Sequence, residues 1–280
     1  MKLNTVIAGV GALAEALTCV LDQSAGHRVG LVIDTGPGSK SLQNTTSAIG
    51  ADYLQTTKLN HPNLLEQIDR LQPDYIFSAD NQYLFRNALL NIAAHGCINF
   101  HNGPLSQYRG VNIPSWAIWN NESMHSISWH FMLEKIDAGD VIMETPFAID
   151  KRETAFSLSV KCIQAGIDST PALIEKLSNP DTVSIHNHNS SGRYYSRHDL
   201  PNDGILDARW SAKKLDRLYR ALSYKSIPNH VGKLRLLDEG KLLVIKSLKW
   251  LPDKSLPVVE RNNQCVLKKT DGNIVVTFPV

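Results

Sequence analysis

The sequence predicts an α/β protein, a doubly wound and mostly parallel Rossmann-like sheet followed by a small C-terminal β-rich, OB-like module. Two features carry the first half of that reading. Short apolar runs alternate with helical patterns from the N-terminus onward, and a long helical pattern follows the last of those runs. A change in composition near residue 180 carries the second half, because short strand candidates separated by turn signals follow it.

In chain order, "TVIAGV" reads as a strand and leads into a helix through Cys19. "RVGLVID" is a second strand, followed by a Ser/Thr-rich loop and a helix, and "DYIFSA" a third, followed by a helix over "LFRNALLNIAAH". The apolar run ending in "INFH" continues the sheet, and "HSISWHFML" and "DVIMETPFAI" add two strands joined by "EKIDAGD". A long crossing helix over "TAFSLSVKCIQAGIDS", broken once at Pro171 and resumed in "ALIEKL", closes the domain. "NPDTVSIHNHNSSGRYYSRHDLPNDG" is rich in Asn, Ser, Gly, Asp and Pro and reads as a linker or strap. The expected division is a domain over 1–199 with its linker, and a helix plus β-rich module over 200–280, in which "SAKKLDRLYRALSY" is the helix and "KLRLL", "LLVIKSLKW", "QCVLKK" and "NIVVTFPV" the strands.

The 280 residues are 42% hydrophobic, enough for a substantial core. A formal net charge of +2, with no dense Lys/Arg block, weighs against nucleic-acid binding by charge. No apolar run approaches the roughly 20 residues of a membrane span. Cys19, Cys97, Cys162 and Cys265 lie far apart without C-x-x-C pairing, the usage of a cytoplasmic protein with reduced thiols. His186 and His188 form an H-x-H pair without a nearby acidic or Cys partner in the sequence, and read as a solvated loop rather than a metal site.

Two motifs compete as the functional site. Gly9, Gly11 and Ala14 satisfy G-x-G-x-x-A after the first strand, and Asp34 ends the second, the pattern of a dinucleotide site. Any doubly wound fold also needs small residues at that turn, and both readings stay open. The second motif is Asn99-Phe100-His101. Residues i and i+2 of a strand share a face, so Asn99 and His101 converge while Ile98 and Phe100 point away. The pair ends its run just before Asn102-Gly103-Pro104, and open α/β sheets bind ligands beyond the carboxyl ends of their strands. Asn-Gly is also a hairpin signal, so the pair alone leaves a turn as the alternative. On the strand before Asp137, His130 is either a group facing an acceptor pocket or a satisfied core histidine.

Taken together, "INFHNGPLSQYRG" and "IDAGDVI" resemble the folate-dependent formyltransferase family, and "ETAFSLSVK" and "ILDARWSAKKLDRLYRAL" extend the resemblance over most of the chain. It implies an N10-formyltetrahydrofolate-dependent N-formyltransferase that needs no metal, with Asn99, His101 and Asp137 as catalytic residues. The loop residues Ala138, Gly139 and Asp140 and, from the loop after the Asn-x-His strand, Leu105 fall on the folate side. From the residues themselves, Tyr108, Arg109 and His130 are candidates for the acceptor side, Arg109 either holding an anionic part of the substrate or making a surface salt bridge. The family's usual S-L-L-P is here Gly103-Pro104-Leu105-Ser106.

The chemistry suits these residue types. A formamide-like carbon attacked by an amine develops negative charge on oxygen, which an amide N–H stabilises. The amine must lose a proton, which an imidazole can take, and a carboxylate can orient that imidazole. "TGPGSKSLQNTTSAIG" lacks the basic character of the tRNA-gripping loop of the methionyl-tRNA branch. The preferred acceptor is therefore a small-molecule amine, best a nucleotide-linked amino sugar. Formylation of an amino acid, a carrier-bound aminoacyl group or methionyl-tRNA is the alternative. Hydrolysis of formyltetrahydrofolate and an NAD-dependent oxidoreductase are more distant ones. A homodimer is a further expectation.

Overall fold

The computed structural model describes residues 2–178, 192–224, 234–253 and 263–279. It divides into two compact units, one formed by Met1–Gly110, Ser126–Phe147 and Val160–Tyr194, the other by Val111–His125, Ala148–Ser159 and Tyr195–Val280. His186 and His188 lie outside the described residues.

The elements run β1 (Leu3–Gly9), α1 (Gly11–Gln23), β2 (His27–Asp34), α2 (Lys40–Ala48), β3 (Asp52–Gln55), α3 (Pro62–Arg70), β4 (Tyr75–Ala79), α4 (Asn87–Leu90) and β5 (Gly96–His101). They continue with β6 (Tyr108–Gly110), α5 (Ile113–Trp119), β7 (Met124–Phe131), β8 (Val141–Ala148), α6 (Ala155–Leu177), β9 (Arg193–Tyr195), β10 (Ile205–Asp207) and α7 (Ala212–Ala221). The last strands are β11 (Arg235–Asp238), β12 (Lys241–Val244), β13 (Ser247–Leu251), β14 (Gln264–Lys269) and β15 (Gly272–Thr277).

The first unit holds a seven-stranded sheet in the order β3-β2-β1-β4-β5-β7-β8. The pairings β1–β2, β1–β4, β2–β3 and β4–β5 are parallel, and β5–β7 is antiparallel. The chain leaves β1 toward β3 and returns to β4 on the other side of β1, so the topological switch lies between β1 and β4. Each face of the sheet carries its own apolar layer. Ile7, Phe77, Ile98, Phe100, Ile127 and Trp129 pack with Leu13 and Leu17 of α1 and Cys162, Leu173 and Leu177 of α6. Val6, Ile33, Ile76 and Cys97 pack with Leu64 and Ile68 of α3 on the opposite face. The predicted alternation along β5 therefore holds, with Ile98 and Phe100 in one layer and Cys97 in the other.

Four elements of the first unit, β3, α3, α4 and α6, differ from the sequence reading. The strand–helix pair β3 and α3 adds to the expected elements; β3 is four residues long and half-exposed and offers little apolar pattern. The helix expected over "LFRNALLNIAAH" shrinks to Asn87–Leu90. The side chain of Asn60 donates to the Leu84 carbonyl and accepts from Arg86 N–H, tying that backbone outside the helix. Conversely, α6 runs through Pro171 without a break. Proline removes the N–H that would reach the carbonyl of Ile167, and the Thr170 hydroxyl donates to that carbonyl at 2.8 Å instead.

In the second unit, β10, β11 and β12 form one three-stranded sheet and β13, β15 and β14 another. The run read as one strand, "LLVIKSLKW", is divided between β12 and β13, which belong to separate sheets. Helix α7 packs Leu215 and Leu218 against Leu236, Leu248 and Ile274. Its first turn is capped by the Ser211 hydroxyl and by Asp271, whose carboxylate accepts from the N–H groups of Ala212 and Lys213.

Candidate active site

Strands β5 and β7 pair with Asn99 opposite His130 and His101 opposite Ser128. Directly opposed side chains on one face of an antiparallel pair lie about 5 Å apart at Cβ. The polar groups of two apolar-looking strands are thus gathered on one face while Phe100 and Trp129 meet edge-on at 5.3 Å on the other. The Ser128 hydroxyl donates to the Gly103 carbonyl at 2.8 Å and holds the chain just beyond β5.

His130 is 1% exposed, and its Nδ1 lies 2.7 Å from the carbonyl of Phe131. A carbonyl only accepts, so Nδ1 carries the proton. The pKa of His130 is lowered to about 4, chiefly by burial, although Asp137 and the Phe131 carbonyl pull it upward. In the neutral ring Nε2 is an acceptor, and it takes an N–H from Asn99 Nδ2 at 3.1 Å. His130 thereby fixes which way the Asn99 amide faces and leaves its second N–H available.

His101 is 4% exposed, with Nε2 3.1 Å from the Tyr108 carbonyl. That nitrogen must donate, which leaves Nδ1 as the atom able to gain a proton. Nδ1 lies 3.6 Å from Asp137 Oδ2. The other carboxylate oxygen of Asp137 is 3.6 Å from His130 Nε2, and Oδ2 also accepts from Gly110 N–H at 2.7 Å. Asp137 adopts a left-handed backbone with φ +52°, a conformation short acidic side chains tolerate and one that recurs at functional loops. A neutral acceptor ring, an amide, a second imidazole and a carboxylate are therefore linked in one cluster, with both imidazoles buried and Asn99 and Asp137 half-buried. It can offer an N–H to a developing oxyanion and accept a proton beside a negative charge.

The structure brings together Asn99, His101, Asp137 and His130. Tyr108 joins through its carbonyl, with its side chain buried. Arg109 is outside the cluster, its Nε donating to the Gly192 carbonyl at 2.8 Å. Leu105 is 1% exposed. Gly139 is required by packing, since a Cβ there would stand 1.8 Å from the Phe131 carbonyl oxygen. Asp140 accepts Phe131 N–H at 2.9 Å through its backbone, and Ala138 is half-buried. Sequence reasoning missed Gly110 N–H and the Phe131 and Tyr108 carbonyls, because backbone groups leave no residue-type signal.

The competing motif has a structural explanation. Asp34 is 2% exposed, and its oxygens accept from Gly36 N–H at 2.8 Å, Ser39 N–H at 2.7 Å and the Tyr53 hydroxyl at 2.8 Å. At Gly9 a Cβ would lie 2.2 Å from the Ala79 carbonyl oxygen, so close approach of β1 and β4 alone demands glycine. Among the described residues, no group of three or more His, Cys, Asp or Glu is placed to hold a metal ion, and no helix is long and apolar enough to cross a membrane.

The doubly wound sheet and the linked amide, imidazole and carboxylate groups beside the end of β5 define an α/β protein with a polar cluster at the edge of its parallel strands. Residues 1–173 match the family described as formyl transferase, and the chain belongs to that family. It is 31% identical over 209 residues to a GDP-perosamine N-formyltransferase of Brucella melitensis biotype 1, covering 75% of this chain and 74% of that protein. An N-formyltransferase from Helicobacter canadensis, solved with folinic acid and dTDP-3-aminofucose, superposes with a TM-score of 0.73 at 18% identity over 99% of both chains. A 4-N formyltransferase from Francisella tularensis gives 0.67 at 20% identity, covering 86% of this chain and 96% of that one. At those identities the two structures establish a shared fold.

Proposed function

We propose that this protein transfers the formyl group of N10-formyltetrahydrofolate to a primary amine of a nucleotide-linked amino sugar. The observation that carries the reading is the in-register set of Asn99, His101 and His130 around Asp137, in a chain of the formyl transferase family. The amino-sugar acceptor is supported by the GDP-perosamine enzyme of Brucella and the dTDP-3-aminofucose complex from Helicobacter.

The amine nitrogen attacks the formyl carbon, the bond from that carbon to N10 breaks, and tetrahydrofolate leaves with a proton on N10. The free N–H of Asn99 stabilises the oxygen as it gains charge. His101 takes the proton the amine loses at Nδ1, where Asp137 balances the resulting cation, and returns that proton to N10 as the bond to the formyl carbon breaks. His130 stays neutral and holds the Asn99 amide in its donating orientation. Ala138, Gly139, Asp140 and Leu105 belong to the folate side in this reading, and Tyr108 and Arg109 to the acceptor side. A catalytic part over 1–199 with an appended module over 200–280, a homodimer and a cytoplasmic location complete it.

The test is mass spectrometry of a panel of amines incubated with N10-formyltetrahydrofolate and the protein, with His101→Ala as control. The panel spans nucleotide-linked amino sugars, amino acids and charged initiator tRNA. A formylated amino sugar made only by the unmutated chain is the expected result. Tetrahydrofolate without a formylated product would instead establish a hydrolase.

A further inference from the structure

Within the second unit, a cavity of about 380 Å3 opens between α7, the turn after α5, the turn after β8 and Trp250 of β13. The lining follows from the helix period. Leu215 and Leu218 of α7 face the core, while Lys213, Asp216, Arg217 and Arg220, spaced i, i+3, i+4 and i+7, form a second stripe that lines the cavity. Lys151 faces the same space from the turn after β8.

These charges are not equally engaged. Arg220 is neutralised by Asp216 at 2.7 Å and also donates to the Glu153 carbonyl at 2.8 Å. Arg217 is half-buried, and neither it nor the Lys151 ammonium has a hydrogen-bond or ion-pair partner among the described residues, whereas the charge of Lys213 acts on the Asp271 carboxylate and helps to hold it below the usual carboxylate range. With Asp216 matched to Arg220, the remaining lining charges are Lys151, Lys213 and Arg217 against Glu122 and Asp150, an excess of one positive charge. A partly desolvated guanidinium without a partner is costly unless an anion completes it, and its fork of donors fits two phosphate oxygens at once. On the cavity wall, the Trp250 indole is held in place by its N–H donating to the Asp271 carbonyl at 3.3 Å. A fixed aromatic beside a phosphate-binding group provides a platform for a base.

We propose that this cavity is a binding site for a nucleoside diphosphate, separate from the Asn99–His101–Asp137 cluster, with Arg217 and the two lysines on the phosphates and Trp250 against the base. It is a second nucleotide site in a chain whose acceptor is itself read as nucleotide-linked. Its occupancy is independent of formyl transfer, so the two readings fail separately.

The experiment is calorimetric titration of the full chain with guanosine and thymidine diphosphate, for the unmutated protein, Arg217→Glu and the exposed-loop variant Lys151→Ala. Two sites per chain are expected, one of them lost in Arg217→Glu and weakened roughly tenfold in Lys151→Ala, with turnover retained in both. A single site abolished by Arg217→Glu keeps this proposal and removes the nucleotide-linked acceptor. Isotherms that neither substitution alters overturn the proposal, whatever the acceptor. Inorganic diphosphate binding as tightly as the nucleotides at the Arg217-dependent site would overturn the role given to Trp250.

Discussion

Asp34, at the end of β2, is buried and Asp137, in the loop after β7, half-buried; both stand beside a glycine-containing turn of the same sheet, but their surroundings differ. Asp34 accepts from two backbone N–H groups and a tyrosine hydroxyl, all within 2.8 Å. Asp137 accepts one backbone N–H at 2.7 Å and faces two imidazoles at 3.6 Å, beyond hydrogen-bonding distance. The first has its acceptor capacity taken up by the fold, whereas the second keeps capacity for a proton-bearing partner. Unspent valence separates the proposed catalytic corner from the structural one.

The largest effect expected from that contrast is on turnover. His101→Ala should lower kcat by roughly 10²- to 10⁴-fold, and Asn99→Ala by about 10²- to 10³-fold, while thermal unfolding shows both still folded. Gly139→Ala should act on stability first, because its methyl collides with the Phe131 carbonyl; a loss of about 1–3 kcal/mol or more in urea unfolding is expected. Asp34→Ala is the converse of the His101 and Asn99 variants. It strands three donors and should cost about 1–3 kcal/mol, with kcat of the folded fraction retained. Loss of turnover in Asp34→Ala without loss of stability would break the comparison.

The smallest effect sharpens it through pH. His130 has a folded pKa of about 4 against an ordinary 6.5, so between those values the unfolded chain binds a proton that the folded chain refuses. Stability should therefore fall as pH drops through that window, by at most about 1.4 kcal/mol per pH unit for one proton. Urea midpoints between pH 7 and pH 5 should fall less in His130→Asn than in the unmutated protein.

Much of this was legible in the sequence for identifiable reasons. The long buried strands β1, β2, β4 and β7 advertise themselves by apolar runs, and Asn99 and His101 stand out as polar intrusions at strand spacing. His130 was visible only as an ambiguity, because alternation reports a shared face and not which residue of a distant strand lies opposite. Its partner became known from the β5–β7 register alone. The Pro171 reading failed for a local reason: a neighbouring hydroxyl replaced the missing N–H. The division of "LLVIKSLKW" was hidden because both halves carry strand-forming residues and nothing in the run marks the change of sheet.

The antiparallel meeting of β5 and β7 also bears on how activity appears in time. His101 and Ser128 are opposed across 27 positions of chain, and the stretch between them must be closed before either strand sees the other. A refolding chain with β1, β4 and β5 already paired would show native-like circular dichroism yet carry an Asn99 whose amide is still free to turn. Formyl transfer is thus a reporter of long-range closure and should recover after the bulk of the secondary structure.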